Sequence, residues 1–124
     1  ASLGVKTAVP DRQTVVVCGD GSFQMFENEL ATLKAMGTDV KIVMVHNGVL
    51  GLVHQIQYSS YSGPFGVDLT GSPDFEKLAE AYGISSRRIS DDGEVDSAIR
   101  DMLTASGPYL LICDVDPMTT TSMT

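Results

Sequence analysis

Two short stretches of this chain hold residues whose types and spacing can do chemistry. They are Gly19-Asp20-Gly21-Ser22, directly after the apolar run TVVVC, and Asn47-Gly48-Val49, directly after VKIVMVH. Glycines let a backbone turn tightly and come close to a ligand, and a helix beginning there offers free N–H groups to an anion. A phosphate suits that turn. Asp20 places a carboxylate in the same turn, and two anions in contact repel unless a cation lies between them. The simplest arrangement is a hard divalent ion shared by Asp20 and phosphate oxygens, and magnesium is commonly held in that way. The Asn47 amide oxygen can act as a neutral second ligand, and a main-chain carbonyl just beyond it, that of Val49, as a third. Taken singly, Asp-Gly and Asn-Gly after a strand are often only turns. Their pairing at two strand ends, with residues 22–46 between them, points to a site.

Other features have plainer readings. Gly19-x-Gly21 fails as a dinucleotide fingerprint, because Gln24 holds the third glycine position and no acidic residue ends the second strand. His46 and His54 invite an acid–base reading, but His54 reads as a solvated or polar-contact residue. The Arg87-Arg88 pair reads as surface. Met25, Met36, Met44 and Met102 fall at core-like spacings. Cys18 and Cys113 each lie inside an apolar run and read as free structural thiols, with no ligand spacing for a metal.

The elements that must position the site alternate between strand and helix. Gln13–Cys18 is β-branched and reads as a buried strand. Ser22–Met36 changes period, with Phe26, Leu30, Leu33 and Met36 on one helical face and Gly37 as its stop. Val40–His46 is the second strand, Leu50–Ile56 a short helix, and Tyr58–Ser72 a Gly- and Pro-marked loop. Ser72-Pro73 opens a helix carrying Phe75, Leu78, Ala79 and Tyr82 and ending at Gly83. A short strand near Arg87–Ser90, an amphipathic helix over Val95–Leu103 and a last strand Tyr109–Val115 follow. Ala1–Val9 reads as the end of a helix that begins earlier, and the TTTSMT tail as frayed. Continuous apolar strands alternating with helices predict an α/β fold, a doubly wound and mainly parallel sheet with helices on both faces. Ligands in such folds bind at the carboxyl ends of the strands.

Composition narrows the function. The chain has 124 residues, 43% apolar, with 16 acidic against 8 basic residues and a formal charge of −8. It can build one core, and its charge disfavours nucleic acid and anionic lipid. No apolar run reaches the roughly twenty residues of a membrane span, and no signal peptide is visible. A reducing, cytoplasmic setting is expected.

Gly19-Asp20-Gly21, twenty-four residues (22–45) and then His46-Asn47 resembles the GDG-x-NN motif of thiamine diphosphate enzymes. GDGSFQM, ENELATL, LGLVHQIQ and DFEKLAEAYG are similar to the matching stretches of acetolactate synthase catalytic subunits, and the likeness runs from Gly4 to Pro117. The resemblance implies that Asp20 and Asn47 bind Mg2+ through side chains and Val49 through its carbonyl. It implies that Gly21 and Ser22 meet the diphosphate, that Leu50, Gly51 and Leu52 lie along the cofactor, and that Gly19 belongs to the same cofactor-binding set. It assigns residues 1–117 to the diphosphate-binding domain, truncated at its N-terminal end, and 118–124 to a polar tail. The reaction it implies is decarboxylation of a 2-oxo acid such as pyruvate, with the cofactor stabilising the carbanion before it joins a second 2-oxo acid.

Three departures stand out. His46 occupies the place of the first Asn, Ile56 that of a Trp common in the synthases, and a Gly-rich segment expected before Ala1 is absent. The activating Glu of the family lies in a separate pyrimidine-binding domain, so no catalytic residue is expected in this chain and the chain alone is expected to be inactive. A homo-oligomer is expected, and FAD belongs to the full-length enzyme only. Two other readings stay open: the same domain of a related 2-oxo acid decarboxylase, and a non-catalytic binding or assembly module.

Overall fold

The computed structural model describes residues 1–119; residues 120–124 of the expected tail lie outside the described residues. Its elements are α1 (Ser2–Ala8), β1 (Thr14–Gly19), α2 (Asp20–Gln24), α3 (Glu29–Ala35), β2 (Val40–His46), α4 (Gly51–Ser60), α5 (Phe75–Ala81), β3 (Ser85–Ile89), α6 (Val95–Thr104) and β4 (Tyr109–Asp114). The four strands form one parallel sheet in the order β1-β2-β4-β3. β1 and β2 pair from Thr14↔Val40 to Gly19↔Val45, so the ends of both apolar runs arrive side by side. β4 continues the alignment on the other side of β2, with His46 opposite Asp114.

Each face of the sheet has its own core. On one, Phe23 of α2, Leu30 and Leu33 of α3, and Phe75 and Ala79 of α5 pack on Val40, Ile42, Met44, Leu110 and Ile112. On the other, Ala98 and Met102 of α6 cover Ile89, Tyr109 and Leu111. Helices therefore lie on both faces, as expected, but unequally. One helix cannot span four strands, and the second face of β1 stays open, with Val17 70% exposed and Val15 45%. The expectation that β1 is a fully buried strand is corrected on that face. Lys41 is buried beneath α6, where it donates to the carbonyls of Ala105 (2.6 Å) and Gly107 (2.7 Å) and pairs with Asp39 (2.6 Å). A cation at the C-terminal end of a helix satisfies carbonyls that have no partner within it.

Several boundaries differ from the sequence reading. The helix expected over Ser22–Met36 is two helices, α2 and α3, separated by turns over residues 25–28. Leu30 and Leu33 are buried, while Phe26, Met36 and Met25 face outward, Met25 at 79% exposure. The break re-aims the second half, so one helical face cannot serve both. Of the four methionines assigned to the core, Met44 and Met102 are there. Asp74, not Ser72, caps α5, accepting from the amides of Glu76 and Lys77. Hydrogen bonds from Lys77, first its amide and then its ammonium group, hold the Asp74 carboxyl below the usual aspartate pKa range, and the Glu76 amide adds to them. α4 continues to Ser60, past the expected end at Ile56. β3 begins at Ser85, two residues before the expected strand.

Leu110, fully buried on β4 at the centre of the larger core, tests the packing. Leu110→Ala is expected to lower unfolding stability by about 2–5 kcal/mol, read as a shifted denaturant midpoint at unchanged slope.

Candidate active site at the carboxyl ends of β1 and β2

Gly19 ends β1 and forms the N-cap of α2, so Asp20 is already the first helical residue rather than a free turn residue. Asp20 is 1% exposed. A buried carboxylate is costly unless hydrogen-bonded, and three backbone amides supply the bonds. Gly21 N–H donates to Oδ1 at 2.7 Å, and Gly48 N–H (2.7 Å) and Asn47 N–H (3.2 Å) donate to Oδ2. The carboxylate thus ties the end of β1 to the end of β2.

Gly48 has φ +69°, a left-handed conformation that a side chain opposes, and that conformation accompanies the aim of its N–H at Asp20. Asn47 Oδ1 accepts from the Val49 amide at 3.2 Å, which fixes the amide group beside Asp20. Beyond it, Val49 makes an antiparallel bridge to Asp68, Leu50 N–H donates to Val67, and Leu69 N–H donates to Gly48. A Cβ on Gly21 would stand 2.6 Å from Leu50 Cδ2 and 3.3 Å from Leu69 Cδ1, so these leucine side chains pack directly against the bare glycine. All nine site residues taken from the sequence line one cavity of about 350 Å3, together with Val45 and Val53. The position of each is as described; the cavity brings all of them together.

Residues that the sequence reading passed over lie beside this cavity. Val67 and Leu69, from the expected loop, fold back onto the site; their alternation around Asp68 was a short strand-like signal. His46 Nδ1 is 2.9 Å from Asp114 Oδ1, Arg88 Nη1 donates to the same oxygen at 2.6 Å, and Arg88 Nε donates to Glu76 at 3.2 Å. Phe75 meets the His46 ring edge to face, centroids 5.6 Å apart. An aspartate closing the apolar run YLLICD was the available signal for Asp114. Arg87 and Arg88 are not free surface charges. Arg87 pairs with Asp101 and Glu94, and Arg88 with Asp114 and Glu76. His54 stacks on Tyr58, centroids 6.3 Å apart, away from the His46 cluster. Among the described residues no three of His, Cys, Asp and Glu gather as a metal cluster. A cation here would rest on a mixed set of carboxylate, amide and carbonyl oxygens, the hard donors that suit magnesium.

An open parallel α/β sheet with a glycine-lined crevice at its strand ends defines a cofactor-binding class of domain. The particular family follows from comparison: residues 1–113 match the family profile described as thiamine pyrophosphate enzyme, C-terminal TPP binding domain, and the chain belongs to that family. It is 38% identical over 124 residues, 99% of its length and 21% of the relative's, to a probable acetolactate synthase large subunit of Methanococcus aeolicus. It is 38% identical over 119 residues, 95% of its length and 22% of the relative's, to the acetolactate synthase isozyme 2 large subunit of Escherichia coli K12. Its fold is similar to that of the thiamine diphosphate-dependent 4-hydroxybenzoylformate decarboxylase of Rhodococcus jostii RHA1, with a TM-score of 0.85 and 27% identity over 93% of this chain and 22% of that one. The chain spans about a fifth of the length of these relatives. Among the described residues no helix is long and apolar enough to cross a membrane.

Two measurements follow from this geometry. Gly48→Ala is expected to cost about 1–2 kcal/mol in unfolding stability, because its φ is left-handed and its amide holds Asp20. Cys18 and Cys113 are unpaired, and burial first, then a neighbouring aspartate, raises both thiols, Cys18 to about 11. Since the thiolate is the reactive form, and at pH 8 only about one Cys18 in a thousand is ionised, alkylation is expected to be slow in the folded protein. Its rate should climb as pH rises toward that value, and unfolding should release both thiols at pH 8.

Proposed function

We propose that this chain is the magnesium- and thiamine diphosphate-binding domain of an acetolactate synthase, a thiamine diphosphate-dependent enzyme. Such an enzyme decarboxylates a 2-oxo acid such as pyruvate and condenses the product with a second 2-oxo acid, a reaction of branched-chain amino acid biosynthesis. The observation that carries the reading is the convergence of Asp20, Asn47 and the Val49 main chain on one crevice whose floor is made of glycine.

The residues present fit the cofactor. Asp20 and Asn47 would hold Mg2+ through side-chain oxygens and Val49 through its carbonyl. The backbone of Gly19 and Gly21 and the Ser22 hydroxyl, which line the crevice, would meet the diphosphate. Leu50, Gly51 and Leu52 would form the apolar wall along the cofactor. When bound, the cofactor supplies an electron sink for loss of CO2 from the 2-oxo acid. The chain's own part would be to bind and orient: the buried carboxylate would hold the cation against the diphosphate, and the leucines would exclude water.

The proposal extends to what lies outside these residues. The activating Glu comes from a pyrimidine-binding domain of the same or a partner protomer, and the chain by itself is inactive. α4 supports this division, because it buries none of its residues and presents Leu52, Val53 and Ile56 outward beside the crevice. We assign residues 1–117 to the cofactor-binding domain, a homo-oligomer to the complete enzyme, FAD to the complete enzyme if at all, and a cytoplasmic location. A second reading, a 2-oxo acid decarboxylase, draws on the similarity to the Rhodococcus enzyme and on Ile56. The products formed from pyruvate by the full polypeptide separate the two, acetolactate supporting the synthase and free aldehyde the decarboxylase.

Thermal unfolding with thiamine diphosphate tests cofactor binding directly. A ligand at about a hundred times its dissociation constant adds about 2.7 kcal/mol, a rise of several degrees. The rise is expected to require Mg2+ and to vanish in Asp20→Ala. Absence of a shift in the full polypeptide would leave the domain as a scaffold and defeat the proposal.

A further inference from the structure

We propose that Arg88, Asp114 and His46 form a side-chain brace that positions the Asp20 carboxylate for its cation, with His46 facing Asp20 and the other two acting through His46. The proposal rests on the cation site assigned above and adds residues from β3 and β4 to it.

The brace begins at Arg88, held at its Nε by Glu76 and directed through Nη1 onto Asp114 Oδ1. Asp114 in turn meets His46 Nδ1. A carboxylate can only accept, so the hydrogen of that contact lies on Nδ1. Nε2, the other ring nitrogen, stands 3.9 Å from Asp20 Oδ2. Phe75, fully buried, packs edge to face against the same ring. The ring thus stands against the carboxylate as a near neighbour across a 3.9 Å gap, on the partly exposed side of His46. The main chain makes a parallel link: Val115 N–H donates to the His46 carbonyl at 2.9 Å, and the next amide, that of Asn47, donates to Asp20.

Position separates this role from ordinary stabilisation. The pairs among Glu76, Arg88 and Asp114 are all partly exposed, and exposed ion pairs contribute little to folding. Groups that orient a metal ligand, by contrast, commonly change metal affinity by ten- to a hundredfold.

The test uses Mn2+ as the probe for the magnesium site, with free ion counted by electron paramagnetic resonance in the full polypeptide with thiamine diphosphate present. Asp114→Ala and His46→Ala are each expected to weaken Mn2+ binding about tenfold, and the double variant no further than either alone. Asp114→Asn, which keeps an accepting oxygen, should restore binding, and the melting point of the metal-free protein should stay near that of the parent. Arg88→Gln, one link further from Asp20, should weaken binding in the same direction by a smaller factor. Unchanged affinity in Asp114→Ala, losses that add in the double variant, or a loss that merely follows a fall in melting point would each overturn the brace. If the parent protein binds no Mn2+ with the cofactor, the cation assignment itself fails and the brace falls with it.

Discussion

A carboxylate shut away from water constrains everything around it. Asp20 is nearly inaccessible, and its charge is tolerated because backbone amides from two strand ends converge on it. One amide comes from its own helix and two from the segment after β2, so the arrangement exists only while β1 and β2 keep their register. A slip of one residue would turn every side chain of a strand to the other face. The pairing that stacks Val16 beside Ile42 is thus the same pairing that holds the site together. Sheet, core and crevice are one construction, and the large apolar residues of α2, α3 and α5 clamp it from the side on which Asp20 enters.

Around that centre the charges are arranged in pairs. The chain is strongly acidic, yet the cations it has are used at structural junctions. Lys41 closes the end of α6 against β2, Arg87 ties β3 to α6, and Arg88 reaches from β3 to β4 and α5. Three strand ends and one helix are linked by side chains at the ligand end of the sheet, while at the opposite end Lys41, with Asp39, ties β2 to the segment after α6. Rigid support behind a binding residue is what a preorganised site requires.

The sequence made the repeating units legible and left their junctions hidden. β-branched runs at residues 14–18 and 40–45 mark strands because continuous apolar stretches suit a sheet buried on two faces, and the glycines after them mark the crevice. The site residues were readable since they sit next to one another in the chain, within two short motifs. The break between α2 and α3 was not readable: Phe26 and Met36 continue a helical period, and only packing of Phe23 and Leu30 on the sheet decides where the helix must bend. Nor was the company of His46. Asp114 and Arg88 lie 68 and 42 residues away from it, and no local pattern announces a contact made by sheet order. Ser72-Pro73 carries a sound helix-start signal, but Asp74 caps better because a carboxylate accepts two amides at once.

The bare face of β1 has a consequence for handling this domain by itself. β1 is the terminal strand of the sheet, and beside its open hydrogen-bonding edge Val15 and Val17 form an apolar stripe. Natural proteins blunt such edges with charge, proline or a bulge, and TVVVCG has none of these. Wherever this segment stands uncovered, it is a template for another extended chain, and the strand that begins the cofactor crevice is also the part of the molecule most inclined to aggregate.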